Sequence, residues 1–170
     1  MPRRALLDKR PWLLVSIVTA FAYYLLADGE WATLELALVK TAAVASLAIY
    51  AFQRHRSVDA ALLALVMALG ALGDFGMEFE AVLGGAAFLL AHLVAIALYL
   101  RNRRRRMRSS QKLLGAALLI GTPLIAWLLT GAPEIALYGL SLGAMAGAAW
   151  TSRFPRYRVG IGAVLFVLSD

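Results

Sequence analysis

Four ionisable residues stand inside long apolar stretches of this sequence: Lys40, Asp74, His92 and Asp170. A charge in hydrocarbon is costly, so such groups face one another, a cavity or a bound molecule rather than lipid. Two carboxyl groups in a water-poor site can divide acid and base tasks between them. An imidazole beside them can relay protons. An ammonium can hold a carboxylate or a phosphate. With no cysteine in the chain, thiolate chemistry is excluded. The second histidine, His55, sits in a basic loop, and the paired-histidine spacings of metal sites are absent. Neither a metal nor a cofactor is therefore expected.

The segment Gly139-Leu140-Ser141-Leu142-Gly143 matches the G-x-S-x-G pattern of a serine nucleophile. That chemistry needs a strand, a sharp turn and a helix. Here the match lies in continuous apolar sequence. Its better reading is structural: Gly139, Gly143 and Gly147 recur at every fourth position and form a smooth face for a close helix neighbour.

The elements that must position these residues follow from composition. The chain has 170 residues, 62% of them hydrophobic, and a mean hydropathy of +0.75. A small soluble core cannot hide that much apolar surface. Crossing a membrane takes roughly 20 apolar residues. Seven stretches approach this length, at 12–27, 33–52, 58–75, 81–100, 113–130, 133–150 and 159–170. They predict an all-α, polytopic transmembrane bundle forming a single integral membrane domain over 1–170. The first stretch follows Arg3, Arg4, Lys9 and Arg10 and reads as an uncleaved signal anchor. The last is only ~18 Å long as a helix and reads as an incomplete seventh span.

Orientation comes from the basic residues. Numbering the loops alternately, 16 of the 17 Lys and Arg fall on the side of the amino terminus, all but Lys40. Asp28, Glu30, Glu35, Glu78, Glu80 and Glu134 fall on the other side. The positive-inside rule then places the amino terminus in the cytoplasm, and the expected location is the inner membrane of a bacterial cell. The basic run 101–108 reads as a stop-transfer loop. It lacks the interleaved aromatics of a nucleic-acid surface, so no nucleic-acid partner is expected. In this topology Lys40 lies ~11 Å below the outer edge and His92 ~17 Å below it, while Asp74 and Asp170 lie ~24 Å and ~17 Å above the inner edge. All four fall between midplane and outer edge, which predicts one shared polar cavity. Blander roles compete: a snorkelling or structurally paired Lys40, a helix-capping Asp74, a core-bonded His92, and an Asp170 that merely ends the chain.

These residues carry a resemblance. Gly73-Asp74, the run Gly85-Ala86-Ala87-Phe88-Leu89-Leu90-Ala91-His92, and Gly162-Ala163-Val164-Leu165-Phe166-Val167-Leu168-Ser169-Asp170 together resemble the YhhN family, whose animal members are lysoplasmalogenases. Lys40, Tyr138 and Met145 fit the same pattern. The resemblance covers roughly residues 40–170 and implies eight helices. It also implies hydrolysis of the vinyl-ether bond of a lysophospholipid to a fatty aldehyde and a glycerophospho-headgroup. The catalytic residues it implies are Asp74 and Asp170, supported by Lys40, His92 and Tyr138. Two differences stand out within the shared region: Thr41 replaces a family proline, and Glu78 and Glu80 follow Asp74.

A proton-coupled transporter of small molecules or lipids would use the same charges, but no inverted repeat or broken helix pair is evident. A non-catalytic scaffold would need only the glycine face. The expected partners are a lysophospholipid-like substrate and membrane lipids; oligomeric state is not legible in the sequence.

Overall fold

Stop and start signals divide the chain into helices. The computed structural model describes residues 10–29 and 33–170, so Arg3, Arg4, Lys9 and Glu30 lie outside the described residues. The helices are α1 (Arg10–Leu26), α2 (Thr33–Arg54), α3 (Val58–Met77), α4 (Ala81–Arg101), α5 (Ser109–Thr130), α6 (Pro133–Thr151) and α7 (Ile161–Ser169). A π-helical turn, Arg156–Gly160, leads into α7. The described residues contain no strand; Arg103 and Ser152 form an isolated bridge.

Among the described residues, four helices, α2 to α5, are long and apolar enough to cross a membrane. The pattern of burial is the reverse of a soluble core. Among the described residues, eleven of the fourteen buried apolar ones are alanine. Large apolar side chains such as Phe21, Leu38, Leu72, Val82, Ile120 and Leu128 are exposed. Small residues let helix backbones approach, whereas large ones suit a hydrocarbon solvent.

The chain divides into two units, Met1–Ala91 and His92–Asp170, with the boundary inside α4. In the first unit α2 packs against both α1 and α3. Ser57 caps α3 by accepting a hydrogen bond from the Ala60 amide at 3.2 Å, and Asp59 adds negative charge to the first turn. The start of α4 folds back on α3 through glycines. A Cβ on Gly76 would stand 2.9 Å from the Gly84 nitrogen, and one on Gly73 2.8 Å from the Phe88 ring. The Gly73-Asp74 motif and the phenylalanine of the following run are thus two halves of one contact.

In the second unit α5 and α6 form an antiparallel hairpin. Gly131 ends α5 at φ 66°, a left-handed conformation that suits glycine, and its amide donates to the Trp127 carbonyl at 2.7 Å. Pro133 then opens α6, where its missing N–H costs nothing. Gly139, Gly143 and Gly147 lie against α5. A Cβ on Gly143 would collide with the Leu118 carbonyl oxygen, and one on Gly147 would stand 2.7 Å from the Gly115 carbonyl oxygen. Gly139-Leu140-Ser141-Leu142-Gly143 lies wholly within α6, without the strand and turn that a nucleophile elbow requires.

At the other end of this unit, two basic loops are tied together. The Arg104 guanidinium donates to the carbonyls of Ser152 at 2.7 Å and Phe154 at 3.5 Å. Arg153 donates through its guanidinium to Asn102 Oδ1 at 2.8 Å and through its amide to the Asn102 carbonyl at 2.7 Å. The Arg104 donors satisfy carbonyls just past the end of α6, and the Arg153 donors satisfy Asn102 just past the end of α4; positive charge at both helix ends is favoured by the helix dipole.

Candidate functional site

The first unit holds one polar cluster. Lys40 lies about two turns into α2, and Asp74 lies on the last turn of α3. Lys40 Nζ stands 3.6 Å from Asp74 Oδ1 and 3.3 Å from Glu78 Oε1, to which it donates a hydrogen bond. The Tyr23 ring of α1 adds its face, with the ammonium 5.8 Å from the ring centroid. The three charged side chains are part-buried, at 29%, 16% and 25% exposure. One ammonium therefore serves two carboxylates, and the trio carries net negative charge when all three are ionised. Asp74 does not terminate its helix, because α3 continues to Met77 and is capped at Glu78. Its position is explained by Lys40 rather than by capping.

Glu78 is a member that sequence reasoning assigned to a loop. It is the C-cap just past α3, but its backbone is still helical (φ −73°, ψ −18°), so position 78 lies one turn beyond 74 on the same side. That face turns toward Lys40 only once α2 and α3 pack.

The second unit holds another cluster. The Tyr138 hydroxyl, on α6, donates to Asp170 Oδ2 at 2.9 Å. His92, on α4, is 3% exposed. Its ring lies 5.3 Å from the Tyr138 ring, centroid to centroid, and meets the Phe166 ring edge-on at 5.9 Å. His92 Nδ1 is 3.0 Å from Ser141 Oγ, and Ser141 Oγ is 2.7 Å from the Tyr138 carbonyl oxygen. Thus α4, α6 and α7 bring an imidazole, a phenol, a hydroxyl and a carboxyl into one neighbourhood. Phe166 lies four residues before Asp170, so one face of α7 supplies both an aromatic wall for His92 and the acid held by Tyr138.

Ser141 is the second residue that sequence reasoning set aside, having rejected it as a nucleophile. It is three residues from Tyr138 on the same helix and 8% exposed. Small size serves packing, while its hydroxyl serves His92.

The expected site residues thus fall into two groups. Lys40 and Asp74 meet in the first unit; His92, Tyr138 and Asp170 meet in the second. Among the described residues, no set of three or more His, Asp or Glu side chains is arranged to hold a metal ion.

No curated protein and no solved structure matches the chain. The model of the YhhN family matches residues 36–170, a stretch that contains every member of both clusters except Tyr23. Covering most of the sequence, that match shows that the chain belongs to the YhhN family.

Proposed function

We propose that this protein is an intramembrane hydrolase that cleaves the vinyl-ether bond of lysoplasmalogen-like lysophospholipids, releasing a fatty aldehyde and a glycerophospho-headgroup. The observation that carries the reading is the Tyr138–Asp170–His92 cluster. A carboxyl, a phenol and an imidazole are gathered on apolar helices, where ionisable groups are retained chiefly for function. Family membership supports the same class of activity.

A vinyl ether is hydrolysed through protonation at carbon. The π electrons take up the proton, leaving an oxocarbenium ion that water captures. This chemistry needs a carboxylic acid to deliver the proton and negative charge to favour the cation. Asp170, which accepts a hydrogen bond from the Tyr138 phenol, is one candidate carboxyl for these tasks. Asp74, in contact with the Lys40 ammonium that it shares with Glu78, is the other candidate. In this reading α1 to α6 are spans and α7, at nine residues, enters the membrane without crossing it, with the amino terminus in the cytoplasm of a bacterial cell and the chain in its inner membrane. The 16 basic residues on one side support that orientation. So does the pinning of loops 102–108 and 152–155 to each other, as two loops on one face would be.

The test is direct. Purified protein incubated with a lysoplasmalogen should release aldehyde, and Asp74→Asn and Asp170→Asn should each abolish release while the protein remains folded. Asparagine keeps the shape but supplies neither an acidic proton nor a charge. If the carboxyls act as a unit, the double variant should be little worse than either single one. Full activity in either variant refutes the assignment. Substrate uptake into liposomes without hydrolysis would favour a transporter instead.

A further inference from the structure

His92 is satisfied at one nitrogen only. Its Nε2 is buried and has no hydrogen-bond partner. A buried acceptor or donor left unpaired costs roughly 1–3 kcal/mol, so such an atom in a folded protein calls for a reason. The hydrogen bonds on the other side of the ring decide which kind of atom it is.

Ser141 has one hydroxyl proton and two neighbours. The Tyr138 carbonyl oxygen, at 2.7 Å, can only accept. The serine proton therefore goes to that carbonyl, and Ser141 Oγ is left to accept from His92 Nδ1 at 3.0 Å. Nδ1 then carries the ring proton. Protonating both nitrogens would leave a buried cation with an N–H that meets no acceptor, flanked by the Tyr138 and Phe166 rings. The neutral ring with a bare Nε2 is the form these contacts satisfy best. A bare, buried imidazole nitrogen lacks one thing, an O–H donor, and its ring lies against the tyrosine that holds Asp170.

We propose that His92 Nε2 is the base that takes a proton from the capturing water, and that Ser141 is a positioning residue which locks the imidazole in the Nδ1–H tautomer required for that task. The proposal rests on the vinyl-ether reading for its substrate, but not for its tautomer. The steps balance. After the carboxylic acid has given its proton to carbon, the water oxygen bonds to the cationic carbon as one of its O–H bonds breaks toward Nε2. This yields a neutral hemiacetal and an imidazolium. On collapse, the imidazolium returns its proton to the departing glycerol oxygen as the C–O bond breaks. The hemiacetal hydroxyl proton goes back to the carboxylate, and the aldehyde carbonyl forms. Both groups end as they began.

The experiment is nitrogen NMR of ring-15N-histidine protein in detergent micelles. The chain has two histidines, so a His55→Asn background leaves His92 as the sole signal. The expected spectrum shows Nδ1 protonated and Nε2 bare, the less common tautomer. Ser141→Ala should shift the population toward Nε2–H. It should also lower kcat for aldehyde release about tenfold or more with little change in KM. His92→Gln should lose about a hundredfold or more, the usual contribution of a positioned base. An Nε2–H ring in the unsubstituted protein overturns the assignment, whatever the activity and without recourse to any variant at position 141. So does a tautomer indifferent to Ser141→Ala. The expected spectrum in a protein that releases no aldehyde would overturn the vinyl-ether reading, and with it the role of His92 as base in that reaction, while leaving the tautomer assignment intact.

Discussion

Replacing Gly143 by alanine tests the contact between α5 and α6 with a single methyl group. In a helix this change gains about 1 kcal/mol from backbone propensity. Against it stands the geometry. The new Cβ would meet the Leu118 carbonyl oxygen at less than any real contact distance, with Thr122 Cβ at 2.9 Å and Thr122 Oγ1 at 3.0 Å. Leu118 lies within α5, so its carbonyl cannot swing aside without breaking a helical hydrogen bond. Relief must come from moving the two helices apart, which opens gaps along the whole seam. Overpacking of this kind costs roughly 1–3 kcal/mol, and the backbone contact places it at the upper end. The net loss is then about 2 kcal/mol. For a chain of this size each kcal/mol moves Tm by about 2–4 °C, so Gly143→Ala should lower it by about 4–8 °C. Gly121→Ala, on α5, is the matched control, because its Cβ would meet nothing within 4 Å. That variant should hold Tm or raise it by a few degrees. Gly139→Ala, with Ala126 Cβ at 3.1 Å and Pro123 Cα at 3.3 Å, should fall between. The assay is thermal unfolding in one detergent at a fixed scan rate, followed by tryptophan fluorescence, since unfolding of such proteins is often irreversible. If Gly143→Ala and Gly121→Ala shift Tm in the same direction by the same amount, α5 and α6 do not meet through this face.

Lys40→Met should destabilise the protein by about 1–3 kcal/mol by removing the ammonium that Asp74 and Glu78 share. Adding Glu78→Gln should recover part of that loss, and a double-mutant cycle on Tm checks it; strict additivity would show that Lys40 and Glu78 do not interact. Arg104→Ala removes charged donors from the Ser152 and Phe154 carbonyls and should cost about 1–3 kcal/mol, whereas exposed Arg105→Ala should be neutral; equal effects would show that the contact is not specific. A reporter fused within residues 101–108 should be cytoplasmic and one fused after Gly29 should be outside, with the reverse pattern refuting the proposed orientation.

Much of the architecture was legible because hydropathy and helix boundaries are local. The apolar runs, the glycine at position 131 followed by Pro133, and the serine at position 57 act through a residue's own backbone and its near neighbours, and α2 to α6 begin and end within a few residues of the reading. The polar groups in apolar helices were legible for a similar reason, since their cost is a property of the segment that carries them. What each of those groups touches is a different kind of question. A helix cap competed as a reading of Asp74, and only the packing of α2 on α3 set it beside Lys40. Glu78 read as loop until that packing made it the second acceptor for the same ammonium. Ser141 read only as the centre of a nucleophile pattern that a continuous helix rules out, and only the approach of α4 to α6 put its hydroxyl on His92. Spacing along one helix shows which residues share a face. The rotation of that helix against its neighbour, set by where glycine and alanine allow the backbones to close, decides what the face meets.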